Sequence, residues 1–450
     1  MANLEQWKTE GVLEAKLVEL GVTIERETEL VAIEERLDGI RATVKRPNGS
    51  SDVVDTPWLI GCDGAHSTVR HLNHQHFPGA SDHRRYIAAD VITDAPYARD
   101  TIYFFVAEAG FIGWASLPEG RTFVWGNIDD STDRECAGPT LADVQALLDE
   151  RSPQKVEVSD PRWISWYWTN YRLTPHYRHG RTILAGDAAH IHSSVGAQGM
   201  NTGIQDAYNL GWKLALVSQG RALESLLDSY EKERRAIGRD VLATTKSMAE
   251  RVMSFGNFSE TDRDRLYRHA HVPEADRLKA ARHAAELDLD YRRSPISVEN
   301  RHNAHAPGQP DGAPHAGAEA VDAGPLEADG RHLTAFELFA GPQHTLLLFT
   351  GGELSGRRQA NALRLASEVV RVYGDLIRVC FVLLADTDIT EFAKTEATIV
   401  RDIEGRMHER YCAEPGRSYL IRPDGYVGWR SDRPSLIALR DYLAKVFVRP

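Results

Sequence analysis

The stretch Arg181-Thr-Ile-Leu-Ala-Gly-Asp-Ala-Ala-His-Ile-His-Ser-Ser-Val-Gly-Ala-Gln-Gly-Met-Asn-Thr-Gly-Ile-Gln-Asp-Ala207 decides the fold. Thr182 to Ala185 is a short apolar run of the kind buried in a parallel sheet. Gly186 and Asp187 end it and leave one carboxylate at the carboxyl end of the strand. Gly196, Gly199 and Gly203 let backbone come close to a flat or charged ligand. The helix predicted over 201–218 offers unpaired N–H groups and the positive end of its dipole. Strand, sharp turn, glycine loop and helix together suit a large ligand with sugar hydroxyls, phosphates and a planar ring. Ile204, Ala207, Leu210, Leu214 and Val217 line one side of that helix and are expected to face the core.

Upstream, Trp58-Leu-Ile-Gly-Cys-Asp-Gly-Ala-His-Ser-Thr-Val-Arg70 reads as a second buried strand that ends in an aspartate-glycine turn. Before it, residues 11–20 have helical spacing, Val22 begins a strand, and the alternation over 29–34 and 40–45 predicts a hairpin. Between about 76 and 175 short apolar runs are split by Gly, Pro and Asp, which predicts a mostly antiparallel sheet. Trp166 and Trp168 are two apart, so on a strand they share one face with Trp163 on the other. Charge-rich helices are expected over 223–237 and 264–289. Residues 295–330 turn rich in Pro, Gly, Ala and His and read as a linker. From 331 to 450 strands and helices alternate, with a Pro-Asp-Gly hairpin at 423–425.

Composition narrows the function classes. The 450 residues carry a formal net charge of −12, so no basic excess exists to neutralise nucleic-acid phosphates. No apolar run reaches the 18 or so residues of a membrane span, and Met1 to Lys8 lacks the apolar core of a signal peptide. Four scattered cysteines with no C-x-x-C point to a reducing cytoplasm and away from a zinc site. His190 and His192, two apart beside the glycine loop, are read as loop histidines because no third ligand accompanies them.

The two quoted stretches, far apart and in this order, resemble motifs of the single-component FAD-dependent aromatic hydroxylases, the group of p-hydroxybenzoate and phenol hydroxylases. Residues 181–207 are similar to its second flavin-binding motif, and 58–70 to its D-G-x-x-S-x-V-R motif. The resemblance implies an α/β chain with a Rossmann-like FAD-binding domain, an inserted antiparallel substrate domain and a C-terminal thioredoxin-like domain. The expected boundaries are 1–75 and 176–294 for the FAD-binding part, 76–175 for the substrate domain, 295–330 for the linker and 331–450 for the last domain. The segment Pro307 to Ala316 resembles the lead-in to that last domain and is expected to be ordered. No stretch matches the family's G-x-G-x-x-G, so weaker FAD binding and a bare sheet edge are expected.

The resemblance also assigns roles. Asp187 accepts a hydrogen bond from the flavin's ribityl chain; the alternative is a turn aspartate capping the next helix. Gly196, Ala197, Gln198, Gly199, Met200 and Asn201 present backbone N–H groups to the flavin ring; the alternative is a purely structural glycine loop. Asp63 and Arg70 serve FAD and NAD(P)H binding, or only brace their turn. Gln6 matches a glutamine that touches the ribityl chain. No side chain is assigned as catalytic, because the cofactor carries the chemistry. The implied activity is hydroxylation of a phenol-like or polycyclic aromatic compound by FAD with NAD(P)H and O2, in the cytoplasm, with no nucleic-acid or membrane partner and with a homodimer as the implied association. Two alternatives stay open: a shortened, non-catalytic, partner-binding relative, and a flavin oxidoreductase that inserts no oxygen.

Overall fold

The computed structural model describes residues 5–107, 110–128, 138–193, 198–255, 274–300, 312–351 and 356–448. The chain divides into two compact units, Met1–Met200 with Gly238–Arg277, and Asn201–Ile237 with Leu278–Pro450.

In the first unit the two apolar runs are strands, as predicted, and the structure pairs them with each other. Strand Leu59–Gly61 pairs in parallel with Thr182–Leu184, Gly61 opposite Leu184, and Arg178–His179 adds an antiparallel neighbour. The predicted hairpin is Glu29–Glu35 with Ile40–Lys45, and Ser51–Thr56 completes a meander. The first helix runs Gln6–Glu19, starting earlier than expected, and buries none of its side chains. Val22 does not begin a strand. Its N–H donates to the Leu17 carbonyl at 2.9 Å while Gly21 takes φ +76°, so these residues close the helix instead.

The 76–175 region forms five strands of an antiparallel sheet that His190–Ile191 extends to six. Their order is His190–Ile191, Val158–Leu173, Gly79–Thr93, Arg121–Ile128, Gly110–Ser116 and Ile102–Ala107. Strand alternation gives its two faces different chemistry. One face carries Ile87, Ala89, Ile112, Trp114 and Val124, packed with Val144, Leu147 and Leu148 of helix Leu141–Arg151. That helix was missed by sequence reading; Thr140 and Asp143 cap it reciprocally. Trp166 pairs with Ile87 and Trp168 with Arg85, whereas Trp163 pairs with Asp90 on the opposite face, as the two-residue period predicted. Arg121 fastens three strands: its Nε donates to Asp90 at 2.5 Å, and its Nη1 and Nη2 donate to the Asp160 carboxylate and carbonyl at 2.9 and 2.7 Å.

In the second unit an eight-stranded mixed sheet has at its centre Val427–Ser431, Ser418–Ile421, His344–Gly351, Ile377–Leu384 and Thr398–Asp402, in that spatial order. The last three are mutually parallel. Every residue of His344–Gly351 is buried, which is why it reads as an unbroken apolar run. One face packs Leu346, Leu348 and Phe381 against helices Gly356–Tyr373 and Leu436–Val446. The other packs Leu347, Phe349 and Val382 against Leu338, Met407 and Tyr411. The 295–330 segment is not a plain linker: Val298–Asn300 and Leu326–Ala328 are strands of this sheet, and Ala316 and Ala320 are buried. Of the segment 307–316, residues 312–316 are described and the rest lie outside the described residues, as do 264–273 of the region expected to be helical over 264–289.

Helix Gly199–Ser218 corrects the expectation about its inward face. Leu210 is buried as expected and Leu214 and Val217 are half-buried, but Ile204 and Ala207 are exposed, while Thr202, Asp206, Asn209 and Lys213 are buried. The buried polar groups are held by partners distant in sequence. Arg234 donates to Asp206 at 2.6 Å. Lys213 donates to Asn209 and Glu233, both at 2.7 Å. Arg422 grips both Glu233 oxygens at 2.8 and 2.9 Å and also bonds Asp424. Asp424 accepts from the Trp212 indole at 3.0 Å.

Candidate functional site

Parallel pairing puts the carboxyl ends of Leu59–Gly61 and Thr182–Leu184 side by side, so Asp63 and Asp187 follow adjacent strand ends. Ala185 N–H donates to the Gly61 carbonyl at 3.0 Å and carries the pairing one residue further. Gly61 has no space for a side chain: an added Cβ would lie 2.8 Å from both Leu184 and Val69. Gly186 adopts φ +59°, a left-handed conformation that turns the chain sharply before Asp187.

Asp63 and Arg70 do different jobs in the turn. Asp63 accepts from the Val69 N–H at 3.0 Å and, with Ser67 accepting from the Arg70 N–H at 3.0 Å, caps the short helix Thr68–Leu72. Arg70 is buried and donates from Nη1 to the Ala188 carbonyl at 2.9 Å and from Nη2 to the Ala65 carbonyl at 2.7 Å. Its guanidinium lies 3.9 Å from the centre of the Phe77 ring. Asn73 adds a second tie, donating to Thr182 Oγ1 at 2.8 Å. One buried guanidinium therefore joins the two distant motifs at the residue after Asp187.

Asp187 itself lies in a single turn of 3-10 helix, Gly186–Ala188. It is exposed and makes no hydrogen bond or ion pair with any described residue. It does not cap the following helix. Gln198 is buried, Gly199 is half-buried, and Met200 is exposed. Asn201 is exposed on the first turn of the 20-residue helix Gly199–Ser218. Gly196 and Ala197 lie outside the described residues. Gln6 is not brought to these residues by any hydrogen bond; it opens the first helix and donates to Glu10 at 2.8 Å. His190 is buried with its ring parallel to that of His192, 6.4 Å between centroids.

Besides helix Leu141–Arg151, sequence reading missed a second feature of the first unit. On the sheet face away from helix Leu141–Arg151, four aromatic rings form a continuous run. Phe104 meets Trp125 edge-on at 5.5 Å, Trp125 stacks on Phe123 at 4.9 Å, and Phe123 reaches Trp163 at 6.0 Å. Phe104 and Trp163 are 44% and 43% exposed, so the platform has an open surface. Trp125 lies flat on Gly113, where an added Cβ would fall 2.1 Å from the ring. The signal was present in Phe123 and Trp125, two apart on one strand, but which face they shared with Phe104 and Trp163 depends on strand register.

Comparison with known proteins identifies the family. An FAD binding domain family matches residues 1–245, and the aromatic-ring hydroxylase C-terminal family matches 313–450. The 6-methylpretetramide 4-monooxygenase of Streptomyces rimosus is 30% identical over 99% of this chain and 76% of its own length. Pentachlorophenol 4-monooxygenase of Sphingobium chlorophenolicum is 29% identical over 91% of this chain and 72% of its own. The solved structure of the anhydrotetracycline hydroxylase OxyS from Streptomyces rimosus superposes with a TM-score of 0.74 at 28% identity, covering 99% of this chain and 80% of that one. With its two motifs joined through Arg70 and both halves matched, the chain belongs to the FAD-dependent aromatic-ring hydroxylases.

Proposed function

We propose that this chain holds FAD where its two motifs meet and, with NAD(P)H and O2, hydroxylates a planar phenol-like or polycyclic aromatic compound. The observation that carries this reading is the Arg70 bond to the Ala188 carbonyl, which fixes the turn and leaves the Asp187 carboxylate open. The residues fit the cofactor. A free carboxylate at a strand's carboxyl end accepts a sugar-like hydroxyl, and the start of a long helix offers N–H groups and a positive dipole end to an electron-rich ring. Bound there, FAD would supply the redox chemistry that couples NAD(P)H and O2 to hydroxylation. The protein's own work is to hold, orient and dry the site. Asp63 and Arg70 keep the turn rigid, and 198–201 provide the helix opening.

The aromatic platform Phe104–Trp125–Phe123–Trp163 is the surface we assign to the substrate, because a flat apolar ring system gains most by stacking on other rings. Relatives whose names place them on tetracyclic and chlorinated phenolic compounds make a polycyclic or phenolic substrate the natural class. Trp125→Ala is expected to raise the KM for the aromatic substrate about tenfold, the equivalent of ~1.4 kcal/mol of stacking and burial. Steady-state kinetics that leave KM in place would remove the platform from the substrate site.

The same reading gives 1–75 and 176–294 to cofactor binding and 76–175 to the substrate. It makes the C-terminal part thioredoxin-like: the neighbouring order of Val427–Ser431, Ser418–Ile421, His344–Gly351 and Ile377–Leu384 supports that core. Burial pushes the Cys380 thiol up to about 12, so packing rather than thiol exchange is the role of this part. No described helix is long and apolar enough to cross a membrane, and we place the protein in the cytoplasm as a homodimer. The deciding experiment mixes the purified chain with FAD, NAD(P)H and phenolic or polycyclic compounds under heavy dioxygen. Flavin retained on gel filtration and one labelled oxygen in the product are expected. A chain that retains flavin and oxidises NAD(P)H without labelled product is an oxidoreductase of another kind.

A further inference from the structure

His192 was read from sequence as an ordinary loop histidine, and its geometry says more. Its Nδ1 lies 3.0 Å from the Ser193 carbonyl. A carbonyl oxygen only accepts, so Nδ1 carries the proton and Nε2 of the neutral ring is left with a bare lone pair. Burial disfavours the charged ring, outweighing the Ser193 hydrogen bond and the nearby Asp187 carboxylate, so the neutral form prevails near pH 7. That Nε2 is shielded from solvent and has no hydrogen-bond partner among the described residues. The same edge of the ring faces the start of the long helix: an added Cβ on Gly199 would lie 3.7 Å from Cε1 and 3.8 Å from Nε2. A solvent-shielded acceptor without a donor is a cost to the fold that a bound donor would relieve. Its placement beside Gly199, five residues after Asp187, points to the group that would satisfy it.

We propose that His192 Nε2 is a cofactor-binding acceptor, satisfied by an O–H or N–H donor of bound FAD: a ribityl hydroxyl or the ring imide N–H. This rests on the reading that 187–201 hold FAD. The donor sets the partner's chemistry: Nε2 takes one hydrogen bond and offers none. His192→Leu removes the acceptor at similar size, and His192→Gln restores one through its side-chain carbonyl.

The test is a binding cycle read by flavin fluorescence at equilibrium, without turnover. Wild type, His192→Leu and His192→Gln are each titrated with FAD, with FAD methylated on the imide nitrogen, and with FAD analogues lacking single ribityl hydroxyls. We expect His192→Leu to weaken FAD about tenfold and His192→Gln to recover most of that loss. The penalty of His192→Leu should vanish with one analogue class, which identifies the donor as imide or hydroxyl. An equal penalty with every analogue, or none with FAD itself, overturns the assignment. If either variant fails to fold, wild type alone decides: equal affinity for FAD and every analogue overturns it, and a selective loss with one class supports it. A wild-type chain that binds no FAD overturns the site as a whole, an outcome distinct from flavin bound without regard to His192.

Discussion

Replacing Glu233 by alanine is expected to destabilise the second unit by about 3–5 kcal/mol, the cost of leaving buried charges without their partner. Glu233, Lys213 and Arg422 are buried, and Glu233 meets the lysine at 2.7 Å and the arginine through both oxygens. Ser294 Oγ also donates to it at 2.5 Å. Removing the carboxylate leaves two cations facing each other across a cavity, with only Asp424 to compensate. That loss is a large fraction of the ~5–15 kcal/mol that keeps a typical protein folded. Urea titration of the full chain, followed by the fluorescence of buried Trp429 and Trp212, checks it; a midpoint within error of wild type would mean that the network is energetically idle. Glu233→Gln, which keeps the shape and some hydrogen bonds, should lie between.

The same carboxylate gives the protein an acid limit. Burial works against ionisation of Glu233, but the attraction of Arg422 and then Lys213 outweighs it and holds the carboxyl well below the usual range. A group whose pKa is depressed on folding stabilises fully above its unfolded value and loses that contribution as pH falls toward its folded value. Wild type should therefore lose stability as pH drops below about 5. Glu233→Gln should show a shallower decline over the same window.

The second large effect belongs to Asp187. Asp187→Ala is expected to weaken FAD binding roughly 10- to 150-fold, the range of one charge-assisted hydrogen bond of about 1.5–3 kcal/mol. The residue is exposed and makes no hydrogen bond or ion pair with a described residue, so the flavin-free protein should keep its thermal midpoint. The combination is diagnostic. A cofactor contact lowers affinity without touching the fold, whereas a structural turn residue lowers both. Fluorescence titration with FAD beside differential scanning calorimetry of the flavin-free chain separates them. Unchanged affinity would move the ribityl contact elsewhere in the loop.

The two contrasts follow from where each residue gets its partners. Asp187 and Asp63 were legible because their motifs are local: an apolar run, a turn glycine and a carboxylate within a few positions specify a strand end. The buried-strand character of both runs was legible too, since short apolar runs bounded by glycine suit a parallel sheet; that they pair with each other came from the structure. The antiparallel 76–175 sheet and the Pro-Asp-Gly hairpin were read from period-two alternation and turn chemistry. Helix Gly199–Ser218 was misread on one point, because apolar count suggested its inward side. Its buried side mixes Leu210, Trp212 and Leu216 with Thr202, Asp206, Asn209 and Lys213, and residues 233, 234, 422 and 424 explain why the polar ones are tolerable.

By itself, then, the amino-acid order set the strands, the turns, the two motifs and the family they belong to, since each depends on neighbours within a few residues. Tertiary structure alone decided that Arg70 reaches Ala188, that four aromatic rings line up across three strands, and that His192 keeps a shielded lone pair. Those facts depend on register and on side chains separated by tens to hundreds of positions, where no local periodicity carries information.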